Sequence, residues 1–243
     1  KKEEDKGTLK SLLISNINFV GGNTCIKINH VVSDYIGIEK CRFTGYKCCA
    51  DLNYSSNIRI VDNSANKVSH LLNGKLINGV AVVLRNSVSD TIYRNTGGSS
   101  GTAHAINVSP ESGWIAFNKL KNCYGGGFNF SLGEAGFYSI DGKLPTIIEN
   151  NEVYFDAYAA KNRYKYGFGD VGGIYTYVNN YWLLIRRNYV HNLVGYRDDA
   201  IMGIYIDGGA SNVVIYGNLV LDCNRGINLY VPSGLDVKKD TDT

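Results

Sequence analysis

The sequence predicts an all-β fold, a parallel β-solenoid of around eight coils with loop insertions on one face. Three observations predict it: a composition poor in helix formers, a short apolar motif that recurs along the chain, and turn residues placed between the recurrences. The 243 residues include 28 Gly, 3 Pro and 18 Tyr, and only 19% are charged, against about a quarter in an ordinary globular domain. About one residue in nine is Asn. Such a chain does not make a helical bundle, while its 44% hydrophobic content suffices for one large core. Residues 1–243 are therefore read as a single domain with 1–10 and 233–243 as flexible ends, compatible with being part of a longer chain.

The motif is clearest as Ile115-Ala-Phe-Asn118-Lys-Leu120. It recurs as Ile148-Glu-Asn-Asn151-Glu-Val153, Ile185-Arg-Arg-Asn188-Tyr-Val190 and Ile215-Tyr-Gly-Asn218-Leu-Val220, with weaker copies at Ile14, Ile38, Ile60 and Ile92. A second short strand follows each clear copy: Gly127-Phe-Asn-Phe130, Gly173-Ile-Tyr-Thr176, Gly203-Ile-Tyr-Ile206 and Gly226-Ile-Asn-Leu229. Two strands per repeat are thus expected, their Ile, Val and Leu stacking on the same residues of the next coil about 4.8 Å away. The Asn at the fourth position is expected to point inward at a tight corner, to tolerate left-handed backbone there, and to bond the corners above and below as a ladder. The Gly before each second strand is expected to serve backbone geometry.

Charge and cysteine usage exclude several functions. A net charge of +3 with scattered Lys and Arg lacks the field that phosphate-backbone binders need, so nucleic acid is not an expected partner. No run approaches the ~18 apolar residues of a membrane span, and the opening Lys1-Lys-Glu-Glu-Asp-Lys6 is not a signal peptide. The six Cys have no metal-ligand spacing, and Cys123 and Cys223 occupy one inward register on coils too far apart for a disulfide, so they read as free thiols. Neither a metal nor a cofactor is expected.

The connection from ladder Asn to second-strand Gly is short after Asn118 and Asn218 but long after Asn151 and Asn188. Solenoid insertions at one corner line up on one face, often the binding face. The long connections contain Asp156, Lys161, Arg163, Lys165 and Asp170 in one case and His191, Tyr196, Arg197, Asp198 and Asp199 in the other. If Ile174, Thr176, Ile204, Ile206, Ile227 and Leu229 face inward, Tyr175, Tyr205 and Asn228 form one outward row and Tyr177, Asp207 and Tyr230 another. Tyrosine faces stack on pyranose rings, and paired carboxylates cleave glycosidic bonds. Asp170 and Asp199 should lie near one another on adjacent coils, whereas Asp207 sits at the far end of its strand; Asp170 with Asp207 and Asp170 with Asp199 both stand as pairings. Tyr175, Tyr177, Tyr205 and Tyr230 are the expected sugar platform. Asn228 and His191 are added as contacts, and Arg197 with Lys165 as contacts to an acidic or polar substituent. His30, His70 and His104 show no partner in sequence and are given no role.

The runs Gly169-Asp-Val-Gly-Gly-Ile-Tyr-Thr176, Ile185-Arg-Arg-Asn188-Tyr-Val-His191, Gly203-Ile-Tyr-Ile-Asp-Gly208 and Val213-Val-Ile-Tyr-Gly-Asn218 resemble the right-handed parallel β-helix proteins of carbohydrate metabolism. Within these the chain is most similar, over residues 143–231, to glycoside hydrolase family 141-type enzymes. The resemblance implies a right-handed β-helix, a secreted, periplasmic or surface location in a bacterium, and an Asp pair, Asp170 and Asp207 by position, cleaving a complex plant or host polysaccharide. Two other functions remain open: a polysaccharide lyase or epimerase acting on a uronate polymer, and a non-catalytic glycan-binding, adhesin or fibre module.

Overall fold

The computed structural model describes residues 7–91, 104–124, 126–130, 144–162, 171–177, 182–194, 201–208, 210 and 212–230. In chain order the strands are β1 (Gly7–Ser15), β2 (Asn18–Lys27), β3 (Val31–Glu39), β4 (Arg42–Asp51), β5 (Ser56–Val61), β6 (Ser64–Asn66), β7 (His70–Leu84), β8 (Ser87–Ser89), β9 (Ile106–Ala116) and β10 (Lys119–Lys121). They continue as β11 (Phe128–Asn129), β12 (Thr146–Glu149), β13 (Glu152–Tyr154), β14 (Val171–Tyr177), β15 (Leu183–Arg186), β16 (Tyr189–His191), β17 (Ile201–Asp207), β18 (Val213–Tyr216), β19 (Leu219–Leu221) and β20 (Arg225–Leu229), with one short helix, α1 (Ala157–Asn162), after β13. β1 begins at Gly7, inside the stretch 1–10 expected to be an end segment.

The described chain is nearly all β, one 20-stranded sheet in which the strands pair in parallel. Pairing skips the sequence neighbour and joins each strand to its equivalents one repeat before and after, the pattern consistent with a solenoid. Three columns result. The first stacks β1, β3, β5, the second half of β7, the second half of β9, β12, β15 and β18. The second stacks β2, β4, β6, β8, β10, β13, β16 and β19. The third runs from the ends of β2 and β4 through the first halves of β7 and β9 to β11, β14, β17 and β20.

Each repeat therefore has three strands, not two, because the motif itself turns a corner: Ile148 lies in β12 and Val153 in β13. The inward side of the first column is Ile14, Ile38, Ile60, Val83, Ile115, Ile148, Ile185 and Ile215 in register. Val83 holds the place that the sequence pattern gave to Ile92, which lies outside the described residues. Phe43, Val88, Leu120, Val153 and Val190 line the second column, and Leu72, Ile106, Phe128, Ile174 and Ile204 the third, all of them buried. Each such side chain contributes about 1.5–3 kcal/mol by leaving water.

The corner between the first two columns holds an amide ladder longer than the motif suggests. Asn63, Asn86, Asn118, Asn151, Asn188 and Asn218 follow one another, and each Oδ1 after the first accepts both the backbone N–H and the side-chain amide of the Asn before it. Cys41 occupies the same place one repeat earlier, its N–H donating to Asn63 at 2.9 Å. The left-handed residue is not the ladder Asn but the one before it: Asn16, Lys40, Asp62, Arg85, Phe117, Asn150, Arg187 and Gly217 have φ from 53° to 63°. That conformation ends the first-column strand and turns the chain, and the ladder's hydrogen bonds hold it there even with Phe or Arg in place.

At Gly127, Gly173 and Gly203 the third-column glycine is required for room rather than for φ, while Gly226 has space for a Cβ. A Cβ on Gly127 would stand 2.4 Å from the Gly173 carbonyl oxygen and 2.8 Å from Val153. All six cysteines are free thiols; burial raises Cys25 to about 11 and Cys48 to about 12.

Candidate functional site

The outer face of the third column gathers the tyrosines. Tyr175 pairs with Tyr205 in register and Tyr205 with Asn228, while Tyr177 pairs with Asp207 and Tyr230 continues that second row beyond Ile206. Ile174, Thr176, Ile204 and Ile206 point the other way and are buried. Ile227 and Leu229 share that inward register but are exposed, β20 having a neighbour on one side only among the described strands.

The four tyrosines are not equivalent. Tyr177 is 44% exposed and Tyr230 53%, whereas Tyr205 is only 4% exposed. The open platform is thus Tyr177 and Tyr230, on either side of Asp207. Tyr175 is half-buried and works from below: its hydroxyl donates to Oδ2 of Asp207 at 2.8 Å, and its ring tilts against Tyr205 at 5.2 Å between centroids. The other oxygen, Oδ1, accepts the Gly208 N–H at 2.6 Å. Asp207 is 5% exposed, so its carboxylate is held in one orientation between the two open phenol rings.

Sequence reasoning gave no role to His104, which packs into this site. Its ring stacks on Tyr175 with centroids 5.5 Å apart and planes 12° from parallel. The contact depends on Gly126, where a Cβ would meet the imidazole at 2.6 Å. His70 lies in the same corner, its Nδ1 2.7 Å from the His104 carbonyl oxygen. No spacing signal marks His104, since the face is built from strands far apart in sequence.

His191 is not on this face. It stands on β16 in the second column, stacked between Tyr189 at 4.0 Å and Tyr154 at 4.9 Å, with Nε2 3.3 Å from Glu152. Lys119 completes the group at 2.9 Å from Glu152. Burial favours the neutral form of Glu152, but the hydrogen bonds of Lys119 and His191 outweigh it and hold the carboxyl below its ordinary range. Asp170, Asp199, Arg197 and Lys165 lie outside the described residues, as do Arg163, Tyr196 and Asp198. Of the eleven residues singled out by sequence, six therefore meet on the third column: Tyr175, Tyr177, Tyr205, Asp207, Asn228 and Tyr230.

No group of His, Cys, Asp and Glu among the described residues has the arrangement of a metal site. No helix there is long and apolar enough to cross a membrane. In comparison with known proteins, the chain matches no family model, no curated protein and no solved structure.

Proposed function

We propose that the chain is a right-handed parallel β-helix of about eight coils that takes a polysaccharide across the outer face of its third column and hydrolyses it, with Asp207 as one of the two carboxylates. The observation that carries this reading is the row Tyr177, Asp207, Tyr230: two exposed phenol rings flank a carboxylate fixed by Tyr175 and the Gly208 N–H. Phenol faces offer apolar contact to sugar rings, and an oriented carboxylate between them meets the hydroxyls or the glycosidic oxygen. Asp170 is the carboxylate the sequence pairs with Asp207, and Asp199 is its alternative partner for Asp170; the separation of such a pair sets a retaining or inverting outcome. The resemblance to glycoside hydrolase family 141-type enzymes points the same way.

A binding module without turnover has an observation of its own. Both Asp207 oxygens are already engaged, which suits a carboxylate that holds its neighbours as much as one that transfers a proton. Digestion of a polysaccharide panel by wild type, Asp207→Asn, Asp170→Asn and Asp199→Asn decides between them. Hydrolysis predicts new reducing ends that disappear in Asp207→Asn and in one of the other two variants. Binding with no new reducing ends for any protein would establish the module instead.

A further inference from the structure

A row of amides extends the third-column face on the side of Tyr175 away from Asp207. Asp51, Asn73, Asn107 and Asn129 stand in register on β4, β7, β9 and β11, continuing the row of Tyr175 and Tyr205. The hydrogen bonds along it have one direction. A carboxylate can only accept, so Asp51 fixes the polarity: its Oδ1 takes the side-chain amide of Asn53 and, at 3.1 Å, that of Asn73. Asn73 then has Oδ1 for the next strand, where it accepts Nδ2 of Asn107 at 2.9 Å. With Nδ2 committed, Asn107 is left with Oδ1, and that atom is buried with no hydrogen-bond partner. Asn107 is 7% exposed, and an unmet acceptor in such a place costs about 1–3 kcal/mol.

We infer that Asn107 marks a second carbohydrate subsite, in which its Oδ1 accepts a hydroxyl from a neutral sugar unit of the chain that crosses Asp207. The inference rests on the carbohydrate reading of this face. No protein hydrogen bond is lost when that oxygen takes a sugar hydroxyl, and because the oxygen is buried a covering side chain moves aside to admit it. The ligand class follows from what the row offers: its polarity ends on an acceptor at Asn107, and Asp207 beside Tyr205 adds a carboxylate. A ligand must therefore bring donors. A uronate would instead set its own negative charge between Asp51 and Asp207. From β9 to β17 is three strand spacings, about 14 Å, so a short saccharide over Asp207 does not reach Asn107 and a longer one does.

Calorimetric titration tests this with short and long neutral xylo-, manno- and cello-oligosaccharides and with oligogalacturonate. The expected result is that the longer members of one neutral series bind more tightly to wild type than the short ones, and that Asn107→Ala removes this gain, about fivefold to tenfold, while leaving the short ligand unchanged. Asp51→Asn, which can donate and so releases the polarity of the row, should lose the same gain without touching the ligand. Coincident thermal melts exclude misfolding as the cause. If wild type prefers the longer ligand and both folded variants keep that preference, the subsite is wrong while the carbohydrate reading survives; oligogalacturonate binding as tightly as the neutral series overturns the ligand class. If wild type binds no saccharide at all, both fall.

Discussion

The Tyr175 hydroxyl donates to Oδ2 of Asp207 across two adjacent strands, at 2.8 Å, and nothing in the sequence spacing of the two residues would have paired them. Register alone sets Tyr175 against Tyr205 and Tyr177 against Asp207, so the bond is a diagonal one, reaching from one outward row to the next. On the proposed carbohydrate reading, this bond makes Tyr175 a positioning residue and Asp207 the group that meets substrate. Tyr175→Phe should therefore lower turnover, or affinity if the face only binds, by about tenfold through loss of orientation, without changing which saccharides are accepted. Asp207→Asn should cost about 10²–10⁴-fold in hydrolysis. Side-by-side kinetics on the same polysaccharide give the check, and equal losses in both variants would remove the distinction between the two roles.

The amide ladder predicts where the fold is most sensitive. Asn151 accepts from the backbone and side chain of Asn118, and donates to Oδ1 of Asn188 and to the Ile115 carbonyl. Asn151→Ala would leave several buried polar groups unmet at once, and one alone costs about 1–3 kcal/mol. A loss of about 3 kcal/mol or more in urea unfolding is expected, against less than about 0.5 kcal/mol for the neighbouring Asn150→Gly, whose left-handed backbone Gly adopts freely.

The periodic part of this architecture is legible in the sequence, because stacking forces the same residue type into the same place on every turn. Ile115, Ile148, Ile185 and Ile215 and the Asn three residues after each declare the first column. The same signal fades where one member changes: Cys41 stands in a ladder position and Val83 in an Ile position, and neither matches the motif. The third strand of each repeat was hidden inside the motif, since a single left-handed residue turns the chain without a run of turn residues to mark it. Within the candidate site, the alternation of β14 and β17 places Tyr177 and Asp207 on one face, yet burial separates Tyr205 from the exposed Tyr230 for reasons of neighbour packing that alternation does not carry. His104 and Asn107 escaped for a related reason. Their partners, Tyr175 and Asn73, lie on other turns of the repeat.

Two glycines give a contrasting pair of mutants. At Gly127 a methyl group would collide with the Gly173 backbone and with Val153, neither of which can move without disturbing the core, so Gly127→Ala should destabilise by about 1–3 kcal/mol. At Gly126 the nearest atoms belong to the His104 ring and the Gly172 carbonyl, and φ is +104°. Gly126→Ala should therefore strain the backbone and also displace His104 from Tyr175. Saccharide affinity reports the difference: it should fall in folded Gly126→Ala protein and persist in folded Gly127→Ala protein.

Acid lability should concentrate at the start of α1. Asp156 accepts the Ala159 N–H at 2.9 Å as the helix cap, then the Asn122 amide at 3.0 Å, and pairs with Lys121 at 2.9 Å. These contacts, the Ala159 N–H foremost, hold its carboxyl well below the ordinary carboxylate range. A group with a lowered folded-state pKa contributes stability that is fully present above its unfolded value, about 3.9, and is lost as the pH falls below that value towards the folded one. Asp156→Ala removes the cap and the pairing together, a loss of about 1 kcal/mol for a cap of this kind. The gap between wild type and Asp156→Ala in urea midpoint should thus be constant from neutral pH down to about pH 5 and close progressively below about pH 4. A gap that stayed the same through the acid range would mean that Asp156 stabilises the corner by packing rather than by its charge.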